Sequence, residues 1–164
     1  MIKALQKLCR TIDALYMGIA VVLLAIIIIA SSLQVFTRYA LNASLNGTEE
    51  LARYCFVWMS MLGASICVSK GAHPAVTILG ERLKGRSKAV LEIFLYLLII
   101  AGAIVFIVQG MKMVVTTTSQ LSPTLKIPMC YIYLCVPVGG AGMIVHALLR
   151  LLEFALPPIE EKKG

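Results

Sequence analysis

Four long apolar runs divide the chain, separated by short polar stretches. They are uncharged from Ala14 to Thr37, Tyr54 to Ser69, Ile93 to Met111 and Ile127 to Leu149. A helix crossing the roughly 30 Å hydrocarbon core needs about 20 apolar residues at 1.5 Å rise each. The second run covers only about 24 Å on that rise. Its helix must therefore begin earlier and carry Glu49, Glu50 and Arg53 into the membrane interface. Asn46 or Thr48 can cap that start, and the two glutamates suit the positive end of its dipole. The pattern predicts spans over residues 13–37, 48–69, 89–116 and 127–155, with a loop at 70–88.

The segments between the runs are patterned too. In Met1–Thr11, Ile2, Leu5 and Cys9 share one helical face and Lys3, Lys7 and Arg10 another, which suits a basic helix on an anionic leaflet. The run behind it is too long for a signal peptide, so a retained helix is expected. Pro74 can open a second surface helix in the loop, with Val76, Leu79 and Leu83 on one face. Ser60, Gly63, Ala64 and Ser65 form a small-residue strip that permits close helix approach. Thr116 to Gln120 form a polar exit whose hydroxyls either line a partner surface or, more commonly, bond backbone carbonyls. Pro128 fits a first helical turn, and Pro137 should kink the fourth run ahead of Gly139, Gly140 and Gly142.

Composition agrees with this pattern: of 164 residues, 60% are hydrophobic and 14% charged, against about 25% charged in a soluble domain. The expected fold is an all-α integral membrane protein of one domain, residues 1–164. It has four transmembrane helices and short interfacial amphipathic helices. The net charge of +7 does not imply nucleic acid, because the basic residues flank apolar runs. Lys3, Lys7, Arg10, Lys70, Arg82, Lys84, Arg86 and Lys88 are read as membrane-surface anchors toward lipid. With Arg150, Lys162 and Lys163 they outnumber Arg38, Arg53, Lys112 and Lys126, so both termini and the 70–88 loop are expected to be cytoplasmic. The five cysteines show no metal-ligand spacing, though a Cys55–Cys130 disulfide is conceivable.

The tightest charge cluster lies between the first two runs: Arg38, then Glu49, Glu50 and Arg53, with Trp58 following. Ionisable groups at such a depth are costly and usually paired. Glu49 and Arg53 stand four apart in the favourable order, acid first. The cluster is either an interfacial cap of two helices or a docking site for another membrane protein. On the docking reading Arg53 pairs with a buried glutamate, and Arg53→Ala weakens assembly. No catalytic set, phosphate loop, metal site or cofactor site is visible. His73 and His146 are poorly placed to face each other around a haem, and no acidic residue sits at mid-depth to carry an ion.

Two stretches resemble a known family. The first is R-Y-x-L-N, a spacer, E-E-L-A-R-Y-x-F-V-W and L-G-A-S, on Arg38, Tyr39, Leu41, Asn42, Glu49 to Tyr54, Phe56 to Trp58 and Leu62 to Ser65. The second is S-P-T-L-x-I-P, from Ser122 and Pro123 to Pro128, with Tyr131, Tyr133 and Pro137. Together they resemble the small membrane subunit of tripartite ATP-independent periplasmic (TRAP) transporters over nearly the whole chain. The family often has a tryptophan before the E-E pair; here Asn46, Gly47 and Thr48 stand there.

The resemblance implies a non-catalytic scaffold in the bacterial inner membrane. Its partners would be a large multi-span subunit that holds sodium and substrate and moves elevator-fashion, and a periplasmic solute-binding protein. Substrates would be organic acids such as C4-dicarboxylates or sialic acids. Partner-interface or structural roles then fall to Arg38, Tyr39, Glu49, Glu50, Arg53, Trp58, Gly63, Ser122, Pro123, Pro128, Tyr131 and Pro137. The alternatives are an independent homo-oligomeric carrier or, more remotely, an anchor subunit of a redox complex.

Overall fold

The computed structural model describes residues 2–41, 46–71 and 86–155. Among them lie five helices: α1 (Ile2–Ala40), α2 (Asn46–Ser69), α3 (Arg86–Thr116), α4 (Met129–Tyr133) and α5 (Cys135–Ala155). α1, α2, α3 and the α4–α5 pair are each long and apolar enough to cross a membrane. Arg82, Lys84, His73 and the surface helix expected from Pro74 lie outside the described residues. Lys3 belongs to α1, and Arg86 and Lys88 to the first turn of α3.

The basic N-terminal stretch is not a separate element. It forms the first turns of α1, which runs unbroken for 39 residues, because no proline or glycine interrupts the passage from Met1–Thr11 into the apolar run. α2 begins at Asn46, so Glu49 stands in its first turn. The last span is divided at Leu134, between α4 and α5. Pro137 has no N–H to give the Tyr133 carbonyl, and the interruption falls within that turn.

α5 is the hub: it packs on α2 and α3 and reaches α1, while α1 and α3 share no contact among the described residues. Hydrophobic burial cannot drive this packing inside lipid, so close backbone approach must. Glycines on α5 supply it. A Cβ on Gly139 would lie 3.0 Å from the Met61 carbonyl of α2, and one on Gly140 would lie 3.1 Å from the Ala103 carbonyl of α3. A Cβ on Gly142 would collide with Ser65 and come within 2.7 Å of Tyr16. Gly110 of α3 makes room for Pro137, whose Cδ would stand 2.8 Å from a Cβ there. Gly63 does not take part: a Cβ on it would meet nothing within 4 Å. Of the expected strip on α2, Ser65 is the member buried against α5, because the helix turns Gly63 away.

Val68, Tyr96, Ala103, Met143 and Ala147 form a small core between α2, α3 and α5. Most large apolar side chains of α1 and α3, such as Val22, Ile29, Phe94 and Leu98, point outward. That is the expected surface for a bundle whose solvent is hydrocarbon. All five cysteines are free thiols, Cys55 and Cys130 included.

Candidate functional site

The start of α2 meets the 117–128 connection at one end of the bundle. The connection is a compact hairpin-like turn. Leu121 and Pro128 bridge in antiparallel fashion, the Ser122 amide donates to the Ile127 carbonyl at 2.9 Å, and the Met129 amide donates to Gln120 at 2.9 Å. The fully buried Ser122 accepts the Ile127 amide on its Oγ at 3.3 Å. Lys126 takes a left-handed conformation, φ 56°, to close the turn. The hydroxyls of Thr116, Thr117 and Thr118 donate to carbonyls at the end of α3, the commoner of their two expected uses.

This turn aims two backbone amides at α2. Thr124 N and Leu125 N donate to Glu50 Oε2 at 3.0 and 2.9 Å, while the Tyr54 hydroxyl donates to Glu50 Oε1 at 2.5 Å. Glu50 is only 7% exposed. A carboxylate is acceptor-only, and here both oxygens have donors. Burying it with this set fastens the N-terminal part of α2 to a segment more than 70 residues away.

Glu49 behaves differently. Its Oε1 accepts from Arg53 Nη2 at 2.9 Å, and its Oε2 from Gln34 Nε2 at 3.4 Å. The Arg53 and Glu49 side chains remain 66% and 57% exposed. The expected pairing of Arg53 with a buried glutamate is therefore corrected: Arg53 takes the exposed acid, and the buried one is held by a phenol and two amides. Successive helical positions point about 100° apart, so only one of the two glutamates can face the turn.

The remaining residues expected here divide into two groups. Trp58 donates its indole N–H to the Tyr131 carbonyl at 3.2 Å, tying α2 to α4. Pro128 precedes α4, and Pro137 is buried against α3. Arg38 and Tyr39 sit exposed at the end of α1, Tyr39 by 80%. Glu49, Glu50, Arg53, Pro123, Met129 and Tyr133 line part of a 580 Å³ cavity. Gly63 lies outside this assembly.

The sequence reading missed Asp13. At the other end of the bundle its Oδ2 accepts the Ser69 hydroxyl at 2.5 Å, and its Oδ1 lies 3.4 Å from Nε2 of His146. Arg150 donates from Nε and Nη2 to the Ser69 carbonyl at 3.1 and 2.6 Å. One signal was available: Asp13 is an acid at the very edge of an apolar run, and such an acid needs a partner.

With this geometry in place, similarity to known proteins can be read. Residues 27–156 match the family described as tripartite ATP-independent periplasmic transporters, DctQ component. The chain is 30% identical over 154 residues to the sialic acid TRAP transporter small permease protein SiaQ of Vibrio cholerae, covering 93% of this chain and 86% of that one. It is 31% identical over 112 residues to the C4-dicarboxylate TRAP transporter small permease protein DctQ of Rhodobacter capsulatus, covering 65% of this chain and 48% of the relative. A third relative, the isethionate TRAP transporter permease protein DctMQ of Oleidesulfovibrio alaskensis, is 29% identical over 106 residues. The match covers 63% of this chain and 17% of that much longer one. Such permeases are inner-membrane proteins, in keeping with four helices able to span, and membership implies a large membrane partner and a binding protein. The chain thus belongs to the DctQ-component family and is a small permease subunit of a TRAP transporter.

Proposed function

We propose that this subunit is a non-catalytic scaffold for the large membrane subunit of a sodium-coupled, binding-protein-dependent organic-acid transporter. Both of its termini would be cytoplasmic. The observation that carries the reading is Glu50: a buried carboxylate with donors on both oxygens is a rigid joint. It holds the 117–128 turn against the part of α2 that presents Glu49 and Arg53, while Gln34 bonds Glu49 from α1, whose exposed end carries Arg38 and Tyr39. Rigid presentation is what an immobile support for a moving partner requires.

Sodium and solute would bind the large subunit. The solute class follows relatives named for sialic acid, a C4-dicarboxylate and isethionate, all organic acids. With Lys7, Arg10, Lys70 and Arg150 at one end of the bundle, that end is assigned to the cytoplasm, and the Glu50 end to the periplasm where the binding protein arrives.

The test is a gentle-detergent pull-down of the tagged subunit from its native membrane, followed by liposome uptake of sialic acid or succinate. Co-recovery of a much larger polytopic protein, with sodium-dependent uptake only when both are present, is the expected result. Recovery of this chain alone, with uptake by it alone, would replace the scaffold with an independent carrier.

A further inference from the structure

Asp13, His146 and Arg150 lie at the end of the bundle remote from Glu50, and the proposed scaffold role makes no use of them. Beside them α1, α2 and α5 border an open cavity of about 150 Å³. Its lining includes Gln6, Arg10 and Asp13 from α1, Ser69 from α2, and Leu149 and Arg150 from α5.

The charges in this wall are unequal. Asp13 is engaged, with the Ser69 hydroxyl on one oxygen and the His146 imidazole beside the other. Arg150 is pinned in place by two hydrogen bonds to the Ser69 carbonyl, so its positive charge has a fixed position. Arg10 lies on the same face of α1 as Asp13, three residues earlier, and is exposed at the cavity. Two guanidinium groups from two helices thus border a space that holds one already bonded carboxylate. The cavity lies at the start of the membrane span in α1, a span that begins at Gln6.

We infer that this cavity is a binding site for the phosphate headgroup of an anionic phospholipid. Planar guanidinium forks match phosphate oxygens, and basic pockets between transmembrane helices at the membrane surface suit anionic headgroups. Because the cavity lies where the α1 span begins, the acyl chains of a lipid held there would lie in the bilayer, which a free phosphate ion would not use. The lipid would fasten the ends of α1 and α5 together through the Arg10 and Arg150 side chains. This site does not depend on the scaffold reading, since it involves only this chain and the bilayer.

The test is native mass spectrometry of the full-length subunit titrated with phosphatidylglycerol, and separately with phosphatidylcholine. Inorganic phosphate serves as competitor. Wild type should bind phosphatidylglycerol in preference. Arg10→Gln should weaken that binding by about tenfold, the loss of one charge-assisted contact, and Arg10→Lys by less. Lys112→Gln, an exposed basic residue on α3, should leave it unchanged. Arg10 is exposed, so these variants fold; a circular dichroism spectrum identical to wild type checks this. Equal binding of the two lipids, or equal losses in Arg10→Gln and Lys112→Gln, would overturn the site. Displacement of the lipid by an equal concentration of inorganic phosphate would assign the cavity to a free ion and overturn the lipid proposal.

Discussion

The two ends of this bundle each hold a carboxylate that faces other helices or turns, and they treat it in opposite ways. Glu50 is enclosed by neutral donors, two amides and a phenol, with both oxygens satisfied. Asp13 is half-open, bonded through one oxygen to Ser69, with its other oxygen and both imidazole nitrogens of His146 lacking a hydrogen bond among the described residues. A fully satisfied polar cluster rigidifies, whereas an incompletely satisfied one retains bonding capacity. The Glu50 end is thus a finished joint, and the Asp13 end an incomplete one.

Mutations can break or sharpen this contrast. The largest effect is expected at Glu50→Ala, which strands two inward-facing amides and takes the carboxylate acceptor from the Tyr54 hydroxyl. The thermal transition in detergent should fall further than for any change below, and trypsin should gain access at Lys126 in the released turn. Glu50→Gln keeps one carbonyl oxygen for the amides and should lie between wild type and alanine. Next comes Gly142→Ala, where the new methyl meets Ser65 and Tyr16. Such overpacking costs about 1–3 kcal/mol, read as a lower unfolding midpoint with the 117–128 turn still protected. Ser69→Ala removes one hydrogen bond from the less complete end and should cost about 1 kcal/mol, measured by chemical unfolding in micelles. Smallest is Arg53→Ala: an exposed ion pair is worth about 0–1 kcal/mol, so the unfolding midpoint should hardly move.

The four spans were legible because apolar runs of bilayer length leave little choice of structure. The short second run pushed its helix start back among the glutamates, and α2 does begin at Asn46. The Glu49–Arg53 pair was legible too, since four-residue spacing places side chains on one face. The partners of Glu50 were not. Backbone amides carry no sequence signature, and Thr124 and Leu125 reach it only because the turn around Lys126 folds back. The glycines show the same limit. A small residue permits close approach but does not say whether a neighbour comes, so Gly142 is filled by Ser65 and Tyr16 while Gly63 faces open space. Asp13 was overlooked because its partners, Ser69 and His146, lie on two other helices.

The central claim is that the surface held rigid by Glu50 docks the large subunit. Its most direct test is recovery of that subunit, from native membranes in gentle detergent, with tagged wild type and with the Tyr39→Ala/Arg53→Ala double variant. Both side chains are exposed, so the double variant should purify folded, with an unfolding midpoint close to wild type, while the large partner falls away. Full recovery of the partner with the double variant would contradict the account and move the docking surface to another face of the bundle.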